Sequence, residues 1–170
     1  APTLQIGPMT IPGAMSGAID PADDIDIFAV APKPGEFWQW KIVPSPESAP
    51  SLTVFDTVKG NLNPTVSVRA GTKGTEVTID HFILHAGSFV AGVRDARNLA
   101  PENAHVGGPT LTYRLEARKL TAAPTVVSFP QKLTGKLSRV SEIAFYKFTG
   151  TKGMGFDVIV RAARLGAGSK

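Results

Sequence analysis

Apolar and polar positions alternate in short runs along this chain, and residues that bend a backbone separate the runs. An acidic turn, Asp20-Pro21-Ala22-Asp23-Asp24, leads into Ile25-Asp26-Ile27-Phe28-Ala29-Val30. Lys33-Pro34-Gly35 then interrupts, and Glu36-Phe37-Trp38-Gln39-Trp40-Lys41-Ile42-Val43 follows. β-Branched and aromatic residues flanked by turn formers predict two strands joined as a β-hairpin. A short leading strand is expected over Thr3–Ile6, with breaks at Gly7-Pro8 and Pro12-Gly13. The three prolines between Pro44 and Pro50 mark a loop, because they remove ladder donors. Further strands are predicted over Ser51–Phe55, Thr65–Arg69, Glu76–Leu84, Ser88–Arg94 and Thr110–Arg118. Turns are expected at Lys59-Gly60-Asn61, Gly71–Gly74 and Ala86-Gly87, and a polar loop over 95–109. The last strand alternates cleanly, so Leu111, Tyr113, Leu115 and Ala117 share one face. No segment carries a convincing 3.6-residue period. The expected fold class is all-β: an antiparallel, jelly-roll-like β-sandwich.

After Ala123-Pro124 the pattern restarts. Thr134-Gly135-Lys136-Leu137 matches Ser16-Gly17-Ala18-Ile19, and Glu142–Phe148 matches Asp24–Val30. Phe156, Val158 and Val160 fall on Trp38, Trp40 and Ile42, all at one offset, 153 − 35 = 118. A repeat of domain length implies tandem sandwiches. The expected organisation is a full unit over 1–120 and the N-terminal half of a second over 121–170. Half a sandwich leaves an apolar face and open edges. The second unit is therefore expected either to be cut from a longer polypeptide or to be completed by another chain, which makes a homodimer through the half-repeat one expected partner.

Composition narrows the class without changing it. Seventeen Gly and fourteen Pro, spread along 170 residues, fit a β-protein punctuated by turns and not a helical one. The net charge of +4 comes from scattered Lys and Arg with no basic block, so no nucleic-acid partner is expected. No apolar run is long enough to span a bilayer as a helix, and the N-terminus does not read as a signal peptide. If the protein is secreted, this chain is a mature form or an excised piece. Without cysteine, the compartment cannot be read from disulfides.

In order and spacing, several motifs of the first 120 residues resemble the bacterial pre-peptidase C-terminal (PPC) domain family. They are Gly17-Ala18-Ile19, Asp24-Ile25-Asp26-Ile27-Phe28, Gly35, the strand Phe37–Val43, Gly87-Ser88-Phe89-Val90-Ala91-Gly92-Val93 and Tyr113-Arg114-Leu115. The resemblance implies a jelly-roll-like sandwich appended to exported bacterial proteases and other multidomain proteins, with no catalytic residues of its own. The second unit departs from the pattern, since Ser141-Glu142-Ile143-Ala144 replaces the Asp-rich turn.

Candidate chemistry is sparse. Asp20, Asp23, Asp24 and Asp26 form a candidate metal site, because Ca²⁺ takes six to eight oxygen ligands and one acidic turn can supply several; Asp is equally a turn former. Asp56, Asp80 and Asp95 are further candidate carboxylates elsewhere in the chain, and the sequence does not show that they converge on this turn. Trp38 and Trp40, two apart on a strand, share a face and are candidate ligand-binding residues for stacking on sugar rings. The repeat places Phe156 and Val158 at their positions, which fits a core face better. His81 and His85 lie about 13 Å apart on an extended strand, too far to chelate one ion. No Gly-x-Ser-x-Gly elbow or phosphate loop is present. The expected function is a non-catalytic accessory module of an exported bacterial protein, secreted or periplasmic, acting as a spacer or assembly domain beside neighbouring domains. The alternative is a calcium-assisted binding module for an extracellular polymer, a protein fibre or polysaccharide.

Overall fold

The computed structural model describes residues 5–58, 61–99 and 105–161. Its main strands are β1 (Gln5–Pro8), β2 (Gly13–Ala18), β3 (Asp26–Val30), β4 (Phe37–Pro44), β5 (Pro50–Val58), β6 (Asn61–Arg69), β7 (Val77–Phe82), β8 (Phe89–Asp95) and β9 (Thr112–Leu120). They form two sheets, β1-β3-β8-β5-β6 and β2-β9-β4-β7. All the pairings within them are antiparallel except β1 with β3. The fold is an all-β sandwich.

Alternation decides which side chains meet between the layers. Phe28 and Val30 of β3, Leu52 and Val54 of β5, and Phe89, Ala91 and Val93 of β8 face Trp38, Trp40 and Ile42 of β4. Val77 and Ile79 of β7 and Leu115 and Ala117 of β9 complete the buried cluster. Leu111, Tyr113, Leu115 and Ala117 are all buried, as their period of two predicts. Burial of this kind stabilises by roughly 25 cal/mol per Å² of apolar surface, and so the strand order follows from which rows must face each other.

The expected hairpin over Asp24–Val43 does not form. β3 lies in the five-stranded sheet and β4 in the four-stranded one, so the chain crosses between layers. Gly35 N donates to Ile83 O at 2.8 Å and Ile83 N to Glu36 O at 2.9 Å. These bonds tie the Pro32–Gly35 connection to the end of β7 rather than to β3. Phe28 and Val30 of β3 and Trp38, Trp40 and Ile42 of β4 are apolar rows, and two such rows bury more by packing face to face than side by side. The local hairpin signal cannot register that choice.

Other expectations move by a few residues. The leading strand runs to Pro8, so Gly7 and Pro8 sit inside it, and Thr3 and Leu4 lie outside the described residues. β5 and β6 form an antiparallel ribbon whose turn residues 59–60 also lie outside them. The expected loop at 95–109 begins with a 3-10 turn, Ala96–Leu99, and its residues 100–104 are not described.

From residue 121 on, the described chain carries only β10 (Thr125–Val126) and β11 (Tyr146–Lys147), paired in parallel. Its geometry nevertheless repeats that of the sandwich 118 positions earlier. Thr125 pairs with Tyr146 and Val126 with Lys147, as Gly7 pairs with Phe28 and Pro8 with Ala29. Val127 N donates to Lys147 O at 2.8 Å, as Met9 N donates to Ala29 O at 3.0 Å; the turn bond Met154 N to Thr151 O likewise echoes Glu36 N to Lys33 O. Left-handed backbone recurs too, at Asp23 (φ 66°) and Ser141 (φ 64°) and at Gly35 (φ 80°) and Gly153 (φ 85°). Residues 155–161 form no strand, although the positions that they match belong to β4. β4 is held by β9 and β7 on its two sides, and a lone extended segment has neither ladder.

Candidate interaction face

The outer face of the four-stranded sheet follows from the same alternation. Side chains between the buried ones point outward, and the register sets them in rows: Glu116, Lys41 and Thr78; Arg118, Gln39 and Asp80; Leu120, Phe37 and Phe82. In the middle row Arg118 Nε donates to Gln39 Oε1 at 2.8 Å, and Gln39 Nε2 donates to Asp80 Oδ1 at 3.0 Å. Lys41 pairs with Glu76 at 2.8 Å.

The chain returns onto this face after β9. Arg139 Nη2 pairs with Asp80 Oδ2, extending the polar row by one more residue. Ser141 sits on the open edge of β7, where Asp80 N donates to its Oγ at 3.1 Å and its hydroxyl donates to Thr78 O at 3.3 Å. One hydroxyl thus satisfies two backbone groups that an edge strand otherwise leaves to solvent. Phe145 then packs edge-on against Phe37 and Phe82, with ring centroids 5.0 and 5.4 Å apart. Beside Arg139 lies a groove of about 340 Å³, lined by Lys41, Glu76, Glu116, Arg118 and Arg139 among others.

This contact was not foreseen from the sequence. Its one signal was the replacement of the acidic turn: Arg139 and Ser141 stand where the first unit has Pro21 and Asp23. Arg139 meets the buried Asp80 carboxylate with a donor, and the Ser141 hydroxyl both accepts from Asp80 N and donates to Thr78 O, a donation that a carboxylate at 141 lacks.

The sequence-predicted site residues go elsewhere. Asp23 pairs with His105, Asp24 Oδ1 accepts from Ile25 N at 2.9 Å, and Asp26 Oδ2 accepts from Tyr113 Oη at 2.5 Å. Asp20 is exposed. Among the described residues no three His, Asp or Glu side chains gather at a position that suits a metal ion. Asp26 has its pKa raised by burial first; the hydrogen bond from Tyr113 opposes this and the nearby Asp24 charge adds to it. The same burial, with the Asp26 contact, pushes the Tyr113 hydroxyl far above its ordinary value.

Trp38 and Trp40 are 3% and 0% exposed, with ring centroids 6.2 Å apart inside the sandwich. Their faces are taken by the core, so neither presents a surface for a sugar. Trp38 Nε1 reaches Glu36 at 2.9 Å. His81 and His85 occupy the opposite end of the sandwich from the acidic turn. His85 Nε2 lies 2.7 Å from the buried Asp56 carboxylate, and Phe89 stacks on His85 and meets His81 edge-on. Burial lowers the pKa of His81; the Asp56 charge raises it and the His85 charge lowers it further. Asp95, fully buried, accepts from Ala49 N, Arg97 N and the Arg97 guanidinium. Burial would raise its pKa, but those hydrogen bonds outweigh it and the net direction is down.

No protein-family model and no characterised protein matches the chain. Solved structures do. The periplasmic inhibitor of g-type lysozyme from Aeromonas hydrophila, PliG, aligns with TM-score 0.50 and 13% identity, over 71% of this chain and all of that one. The pre-peptidase C-terminal domain of a collagenase from Bacillus anthracis aligns with TM-score 0.49 and 10% identity, over 69% and 99%. A surface-associated copper-binding protein of Methylomicrobium album BG8 aligns with TM-score 0.46 and 10% identity, over the same shares. At such identities the likeness is one of fold.

Proposed function

We propose that this chain is a non-catalytic accessory module of an exported bacterial multidomain protein, built as a β-sandwich unit over 1–120 that holds a second, half-formed unit over 121–170 in a set position. The docking of Arg139, Ser141 and Phe145 on the outer sheet face is the observation that supports it best. A spacer has to fix geometry, and this contact combines an ion pair to a buried carboxylate, an edge cap and an aromatic cluster. The residue pattern shared with the PPC family supports the exported setting and the absence of catalysis. The buried carboxylates of Asp80 and Asp95 are held by Gln39, Arg139, Ala49 and Arg97, which supports a structural use of them. The acidic turn favours no second reading, because Asp23, Asp24 and Asp26 each hold a protein partner.

The test is Phe145→Ala combined with Asp80→Ala. Aromatic pairs contribute about 0.5–1.5 kcal/mol each beyond burial, and the ion pair adds up to about 1 kcal/mol because Arg139 is well exposed. Small-angle scattering is expected to show a larger radius of gyration in the double variant, with near-ultraviolet tryptophan dichroism unchanged. An unaltered radius, with residues 139–145 as ordered as before by relaxation measurements, sinks the reading.

A further inference from the structure

The groove beside Arg139 has no apolar side chain in its lining. Its charges are settled in pairs, with one exception. Lys41 meets Glu76 at 2.8 Å, Glu116 meets Arg114 at 2.9 Å, and Arg139 meets Asp80. Arg118 is exposed and has no carboxylate partner among the described residues; its one side-chain bond there runs from Nε to Gln39 Oε1. A cation therefore stands in the groove with its two Nη groups unused.

The polar row across the sheet holds that cation in a set orientation. Asp80 is buried, and its carboxylate only accepts. Gln39 must turn its amide nitrogen toward Asp80, which leaves its oxygen for Arg118, a group that only donates. With an acceptor fixed at one end and a donor at the other, the amide has a single orientation and the guanidinium plane is set by it. Arg139 lies over the far end of the same row, on the other oxygen of Asp80. A planar fork presented in this way matches a carboxylate, which it binds through two parallel hydrogen bonds.

We propose that this groove binds an acidic saccharide, with the carboxylate of a uronic-acid unit on the Nη groups of Arg118 and its hydroxyls on Glu76, Glu116 and Thr78. The other groups of the lining select this class. Two carboxylates in one groove repel a ligand charged at every position, but they accept readily from hydroxyls, so one charge beside several hydroxyls is the complementary pattern. A peptide is poorly served, because the groove offers no apolar side chain to bury against and both edges of β4 are already paired. A volume of about 340 Å³ lies at the lower end of the roughly 300–1,000 Å³ of small-ligand sites and suits a short saccharide segment. Arg139 reaches the site through the docking on which the proposed function rests, whereas the rest of the lining belongs to the first unit.

The probe is digalacturonic acid, titrated at neutral pH into the full 170-residue chain labelled for NMR. Saturable shifts are expected at the Gln39 side-chain amide, the Arg118 Nε–H and the Thr78 amide. Arg118→Gln is expected to weaken binding by about tenfold or more, with near-ultraviolet tryptophan dichroism unchanged to show that the sandwich stays folded. Cellobiose, which has the hydroxyls without the charge, and acetate, which has the charge without the hydroxyls, are each expected to bind more weakly than the uronate. Four results overturn the proposal: no saturable shift up to roughly 50 mM sugar, shifts that map away from the groove, equal binding by cellobiose or acetate, or equal binding by a capped Gly-Glu-Gly peptide. None of these bears on whether residues 139–145 dock, so the site can fail while the spacer reading stands. If scattering shows those residues undocked instead, the shifts at Arg118 and Gln39 still decide the site.

Discussion

Asp26 and Tyr113 are separated by most of the first unit in sequence, yet one 2.5 Å hydrogen bond joins them near the mouth of the core. Gly17 is the third member of that meeting. A Cβ built there would lie 2.5 Å from the Tyr113 hydroxyl and 2.9 Å from Asp26 Oδ2, so only glycine lets the two groups close. Tyr113→Phe removes the donor from a half-buried carboxylate and is expected to cost about 1–3 kcal/mol, measured by urea unfolding. Asp26 has its folded pKa raised above 3.8, so its share of stability is present below that value and is lost as pH rises through the folded pKa. His81 works with the opposite pH direction. Its folded pKa is lowered from 6.5, so the stability is present above 6.5 and is lost as pH falls through the folded value. Unfolding midpoints measured between pH 7.5 and pH 5 are expected to fall in the parent, and His81→Leu is expected to flatten that slope. An unchanged slope assigns it to other groups.

At the level of elements, local alternation placed most of the strands, and its failures cluster where two layers compete for a strand. The stretch from Phe37 to Val43 is legible as a strand because Trp38, Trp40 and Ile42 recur at every second place. Its partners are not legible. They are β9 and β7, one remote in sequence and the other reached through a ribbon, while the neighbour in sequence lies across the core. Gly35 makes that crossing at φ 80°, with open space where a Cβ would stand. Gly35→Ala is therefore a backbone test free of clashes. A loss of about 1 kcal/mol is expected from the left-handed conformation alone, measured by thermal unfolding. A neutral result places the crossing under the control of the prolines instead.

Taken whole, the molecule is unevenly built. The first unit closes a two-layer core, whereas the second repeats the turns and one strand pair without the wall that buries them. Stability across a structure follows buried apolar contacts and protected hydrogen bonds. Amides of β3, β4 and β8 are expected to exchange with solvent only through global unfolding. The Val127 amide, bonded to Lys147 in the same way that Met9 is bonded to Ala29, is expected to exchange orders of magnitude faster than Met9. Equal protection of the two requires the second unit to be as closed as the first.

The order of apolar and turn residues is enough to determine a β-sandwich, its buried row on β9, the core setting of Trp38 and Trp40 and the offset between the units. These depend on period-two alternation and on backbone preferences that each residue carries with it. The tertiary structure alone decided the rest. It separated the presumed hairpin into two sheets, because facing rows bury more than adjacent ones. It spent Asp23, Asp24 and Asp26 on different partners, because His105, Ile25 N and the Tyr113 hydroxyl each stand beside one of them. And it laid Arg139, Ser141 and Phe145 on the sheet face, where Asp80, Phe37 and Phe82 come together only once β4 and β7 are paired.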